Sequence, residues 1–184
     1  MKRTLIRNAR IVDPESGFDG EGDILFDEKV LDIGQRINAS NSETIDAEGA
    51  TLMPGLIDMR VVIGEPGSEH RETFKSAGRA AVAGGVTTLV MAPNTDPVIE
   101  DASLVDFVLR RASSRCDARI LPAAALTRGL NGELMTEMGL LREAGAALFS
   151  NGDRPVTDSR VLRRALAYST AFDALVAHRP EDPF

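Results

Sequence analysis

The chain of 184 residues has a single cysteine, Cys116, which excludes a disulfide framework as the source of its stability. It lacks an N-terminal apolar run long enough for a signal peptide or a membrane-spanning helix, so a cytoplasmic location is expected. Excess positive charge is also missing. The formal net charge is −7, whereas a nucleic-acid surface requires a basic face. Two arginine clusters, Arg110, Arg111 and Arg115, and Arg160, Arg163 and Arg164, recur at helical spacing and fit solvated helix faces. Histidine is scarce, with His70 and His178 the only two. The hydrophobic content of 43% is ordinary, and the length suits one good-sized domain or slightly more.

Two patterns divide the chain. Residues 1–53 read as short strands: Thr4–Asn8, Arg10–Asp13, and Asp23–Asp27 facing Val30–Gly34 across a turn at Asp27–Lys29. A polar connection from Ser40 to Gly49 encloses a brief strand near Ile45. From residue 54 strands and helices alternate, which implies parallel strands with crossover helices. Strands are expected near Gly55–Ile63, Thr87–Met91, Ala118–Ala124, Ala147–Phe149 and Ala174–Ala177. Helices are expected at Glu69–Ala83, Ala102–Ser114 with Asp101 as N-cap, Asn131–Ala144, and from Asp158 to Ser169. In the third helix Leu134, Met135, Met138 and Leu141 are expected to point inward.

Pro54-Gly55-Leu56-Ile57-Asp58 leads into Met59-Arg60-Val61-Val62-Ile63-Gly64 and then Glu65-Pro66-Gly67. This segment resembles the first barrel strand of the dihydroorotase branch of the amidohydrolase superfamily. There Pro-Gly-Leu-Ile-Asp precedes a His-x-His pair, an arginine and Glu-Pro-Gly. Further similar segments are Ala83 to Asp96 with its Pro93-Asn94-Thr95, Ala144 to Pro155, and Ala177-His178-Arg179-Pro180-Glu181-Asp182. The resemblance covers essentially the whole chain but only the first half of the family's length. It implies an α/β fold: an incomplete (β/α)8 TIM barrel of about five βα steps (residues 54–184), preceded by part of a small β-sandwich (residues 1–53). A closed barrel needs about 250 residues, so a fragment of a longer protein is expected.

Matched residue by residue, the resemblance implies a dismantled site. Arg60 and Val62 stand at the two histidine positions, Gly64 at the arginine position, and Asn151 at a metal-bridging aspartate position. Asn94 falls on a substrate-holding position and His178 on a metal-ligand position. Asp58 matches a carboxylate near the metals, with pairing to Arg60 as the structural expectation. His70, at a helix start, reads as surface or supporting. A guanidinium only donates and stays charged, and valine has no lone pair, so neither grips a cation. Zinc wants three or four protein ligands, and one imidazole does not suffice. The implied protein is a non-catalytic dihydroorotase homologue, with no metal expected. Such homologues bind aspartate transcarbamoylase in bacterial pyrimidine synthesis, so a homo- or hetero-oligomer is expected, without nucleic acid or membrane. The alternative is a working zinc-dependent dihydroorotase or related cyclic amidase such as a hydantoinase. A third possibility is a sensor in which Arg60 holds an anion.

Overall fold

A computed structural model describes residues 3–181, which divide into two units between Pro54 and Gly55.

The first unit is built on one long strand. β1 (Arg3–Asp13) pairs antiparallel with β2 (Phe18–Phe26), which pairs antiparallel with β3 (Val30–Gly34). On its other side β1 takes β4 (Ser42–Asp46) and β5 (Thr51–Leu52), both parallel. The two strands expected at Thr4–Asn8 and Arg10–Asp13 are therefore one strand with a register break between Ile6 and Ala9. Asn8 sits there at φ 54°, a conformation asparagine tolerates better than most residues. Buried Asp23 accepts the Asn8 N–H (3.2 Å) and the Ile37 N–H (3.1 Å), satisfying both donors. The expected sandwich is represented by this one five-stranded sheet.

The second unit is a curled sheet of five parallel strands lying side by side in chain order. They are β6 (Leu56–Val61), β7 (Val86–Met91), β8 (Arg119–Ala125), β9 (Leu148–Ser150) and β10 (Val176–Ala177). The crossovers carry α1 (Phe74–Ala83), α2 (Ala102–Arg115), α3 (Met138–Glu143) and α4 (Ser159–Ser169). One apolar layer joins strands to helices. Phe74, Leu89, Met91, Ile99, Val105, Val108, Phe149 and Val161 all lie in it, almost fully buried. A fully buried side chain of this size contributes roughly 1.5–3 kcal/mol. Among the described residues β6 has only β7 beside it, and Leu56, Ile57 and Met59 are at least half exposed. Among the described residues no helix is long and apolar enough to cross a membrane.

Two helices start later than their periodicity suggests. α1 begins at Phe74 because Thr73 and Ser76 form a reciprocal capping box. The preceding residues turn instead, with Gly67 at φ 96°. α3 begins at Met138 rather than Asn131. Leu130 and Gly132 both have positive φ, and the Thr136 hydroxyl donates to the Ala125 carbonyl (2.6 Å), pinning the segment outside a helix. Met138 and Leu141 are buried as expected and Met135 partly so, but Leu134 is 66% exposed. Asp101 caps α2 by accepting the Leu104 N–H. Nor is the arginine cluster on α2 merely solvated, since half-buried Arg111 pairs with buried Glu65.

Asp158 caps α4 by accepting the Arg160 N–H (2.8 Å). Hydrogen bonds from the Arg160 side chain and backbone hold its pKa down, from 3.8 to about 2. A carboxylate depressed in this way adds stability that is complete above its unfolded pKa and lost as pH falls through the folded one. Amide protection at the start of α4 should therefore decline on acidification from about 3.8 toward about 2. Asp158→Asn should lose this pH dependence, as hydrogen exchange would show.

Candidate functional site

The C-terminal ends of parallel strands are where sites of such sheets lie. At β6 the local chemistry departs from a regular strand. The Asp58 carboxylate accepts the Arg60 backbone N–H (2.9 Å), and pairing with β7 slips between Asp58 and Val61. A carboxylate that captures a nearby amide competes with the ladder in this way. The regular ladder is therefore interrupted just where Arg60 stands.

The expected Asp58–Arg60 side-chain pairing is also replaced. The Arg60 guanidinium reaches across to the carboxylate of Asp153, in the turn after β9. The two side chains are 56% and 58% exposed, so the pair is worth at most about 1 kcal/mol in isolation. Asp58 instead spends one oxygen on the Arg60 backbone N–H, and the guanidinium is directed to Asp153. Asp153 also accepts from Arg179 through its carbonyl (3.3 Å), and Arg179 in turn pairs with Glu181 (2.8 Å).

Asn151 is buried and fully engaged. Its Oδ1 accepts the Thr127 N–H (3.0 Å), and its Nδ2 donates to the Thr127 hydroxyl (2.9 Å). That hydroxyl also accepts the Gly132 N–H (2.9 Å). The amide thus stitches the end of β9 to the end of β8.

Gly64 lines a cavity of about 340 Å³ together with Val62, Ser68, Arg71, Glu72 and Asn94. Its own backbone leaves no room for a side chain. The loop folds back so that Ser68 donates to the Gly64 carbonyl (2.6 Å), and a Cβ at Gly64 would land on the carbonyl oxygens of Ser68 and Glu72. Buried Glu65 anchors this loop from behind. One oxygen accepts the Phe74 N–H (3.0 Å) and the other meets Arg111 Nε (2.6 Å). In the same loop the Glu69 carboxyl lies below its ordinary pKa, held there by backbone N–H groups of Glu69 and Gly67.

Asn94 borders both this cavity and a second one of about 260 Å³, shared with Asn151, Asp153 and Arg154. Its Oδ1 is buried without a hydrogen-bond partner. His178, half-buried just beyond β10, lines neither cavity. His70 is exposed in the turn before α1. The mouth therefore gathers Arg60, Val62, Gly64, Asn94 and Asn151 at the strand ends. It adds three residues that sequence reasoning did not single out: Asp153, Thr127 and Arg71. Asp153 had a signal, because a lone arginine at a strand end demands a carboxylate and Asn151-Gly152-Asp153 supplies one.

A metal does not fit the donors present. Arg60 and Val62 offer no lone pair, the Asn151 amide is spent on Thr127, and no group of three or more His, Cys, Asp or Glu among the described residues could hold an ion.

The sequence model of the Dihydro-orotase-like family matches residues 49–183. The chain belongs to that family. It is 36% identical over 181 residues to the dihydroorotase of Syntrophotalea carbinolica, covering 98% of this chain and 43% of the relative. To the dihydroorotase of Pelobacter propionicus it is 39% identical over 180 residues, covering 97% and 42%. The chain thus spans less than half the length of the curated relatives it matches. Among solved structures, the L-hydantoinase (dihydropyrimidinase) of Arthrobacter aurescens superposes with a TM-score of 0.86 at 25% identity, over 99% of this chain and 41% of that one. A crystal structure of a dihydroorotase gives 0.62 at 14% identity, over 100% and 52%, a likeness of fold alone. The curled five-stranded sheet is accordingly part of the amidohydrolase barrel.

Because backbone atoms crowd position 64, the arginine that the resemblance would put there is not restored by one substitution. Gly64→Ala should already destabilise the chain by about 1–3 kcal/mol, as overpacking typically does, and Gly64→Arg by at least as much. Denaturant unfolding measures both. A Gly64→Arg variant as stable as the parent would show that the loop yields freely.

Proposed function

We propose that this chain is a catalytically silent member of the dihydroorotase-like family whose role is structural, in assembly with aspartate transcarbamoylase in pyrimidine biosynthesis in the cytoplasm. The observation that carries the proposal is the occupancy of the first barrel strand: Arg60 stands where an imidazole would grip a cation, and it is committed to Asp153. Hydrolysis of a ring amide in this family's manner calls on metal-activated water, and the strand offers nothing to hold the ion. Three other positions agree. Val62 is hydrocarbon, Gly64 has no space for the carboxylate-clamping arginine, and Asn151 presents a neutral amide turned toward Thr127. A structural role needs only the outer surface, which losing the pocket leaves intact.

The second reading is a working dihydroorotase or related cyclic amidase, with zinc. It is favoured by the name of the relatives, each a dihydroorotase, and by His178 at a ligand position. Asn94, with its unpaired buried oxygen, would then contact substrate.

The purified protein is expected to carry no stoichiometric zinc by elemental analysis and to leave dihydroorotate and carbamoyl-aspartate unconverted, with or without added zinc. Turnover that vanishes in His178→Ala would establish the second reading instead. Mixed with aspartate transcarbamoylase, the protein should co-elute with it on size exclusion; separate elution at micromolar concentrations would remove the assembly role.

A further inference from the structure

Strand neighbours in this sheet are joined by ladders along their length, and at their C-terminal ends by further short links. Ala92 N–H donates to the Val61 carbonyl between β7 and β6 (2.8 Å), and Leu126 N–H to the Ser150 carbonyl between β8 and β9 (3.1 Å). Thr127 and Asn151 add a side-chain link across the same β8–β9 pair. The loops follow suit: Asp96 N–H donates to the Pro66 carbonyl, and the Gly129 N–H to Glu100. Each of these joins one strand or its loop to the next. The Arg60–Asp153 pair does not. It runs from the end of β6 to the turn after β9, passing over β7 and β8.

Both ends of that connection are held in place. Arg60 is fixed at its own backbone by Asp58 (2.9 Å). Asp153 is fixed at its carbonyl by Arg179, which follows β10 (3.3 Å). Its turn is closed further by the Arg154 N–H on the Asn151 carbonyl (3.1 Å). A long flexible guanidinium stem is thus attached at one anchored point and bonded to a second.

We propose that Arg60 and Asp153 form a tie across the mouth of the curled sheet, an internal cation and anion doing mechanically what a shared metal ion does when ligands from several strands converge on it. The proposal rests on the reading that this mouth holds no metal. Its consequence is that the curl at this end depends on charge pairing and is indifferent to chelators. A chord of this kind restrains the separation of two non-neighbouring strands, which the neighbour-to-neighbour ladders leave free to open.

The test is amide hydrogen exchange on the intact chain, followed in residues 56–64 and 150–156. Asp153→Asn keeps side-chain size and Arg60→Gln shortens the side chain, each removing one charge; both sites are more than half exposed, so both variants are expected to fold. Each is expected to speed exchange in both segments by about two- to fivefold, the range an exposed ion pair supports. The charge-swapped double variant, Arg60→Asp with Asp153→Arg, should return exchange toward the parent rate, and EDTA or added zinc should change nothing. If the single variants exchange like the parent, or the swap restores nothing, the tie is overturned while the silent-site reading stands. Should EDTA alone accelerate exchange in these segments, a bound metal braces the mouth, and both the tie and the silent-site reading fall.

Discussion

A single buried carboxylate organises the approach to the mouth of this sheet. Glu65 is only 3% exposed and sits between the first amide of α1 and the guanidinium of Arg111 on α2. Stripping one partner from such a group leaves an uncompensated buried charge, which costs several kcal/mol. The geometry of everything between Gly64 and Thr73 follows from this anchor. Between Glu65, held from behind, and Thr73, which caps α1, the loop lays Ser68 and Glu72 over Gly64. The missing side chain at position 64 is therefore a property of the loop as well as of the residue.

The mouth is consistent with itself in the same manner. Arg60 takes Asp153, Asn151 takes Thr127, and Asp58 takes a backbone amide. The oxygens of Asp153, Asn151 and Asp58, the groups here able to face a cation, have each found a partner within the chain. Asn94 is the exception, with an oxygen buried and unmatched between two cavities. Orphaned polar atoms are rare in folded proteins and mark places that remain chemically unfinished.

Much of the architecture was legible because it rests on local rules. The change from strand-rich to alternating pattern near residue 54 is plain in the sequence, and the strands before it form one sheet and those after it another. Asp101 and Asp158 announce their helices by capping chemistry and do cap them. What escaped was tertiary. The helical spacing of Leu134, Met135, Met138 and Leu141 is genuine, yet Thr136 spends its hydroxyl on Ala125 and the helix waits until Met138. Arg111 looks like its exposed neighbour Arg110 along the chain, and only the fold brings it to Glu65. In the site, the family resemblance implies that Arg60 stands at a ligand position, and the partner expected for it, Asp58, is not the one it takes. The competition between Asp58 and the β ladder for one amide is invisible to a period-two pattern, and Asp153 lies 93 residues away.

Among the described residues β6 pairs with β7 alone, and Leu56, Ile57 and Met59 stand largely in water along it. A strand border of this kind can accept a further strand through its backbone, so the sheet has room to grow on the β6 side.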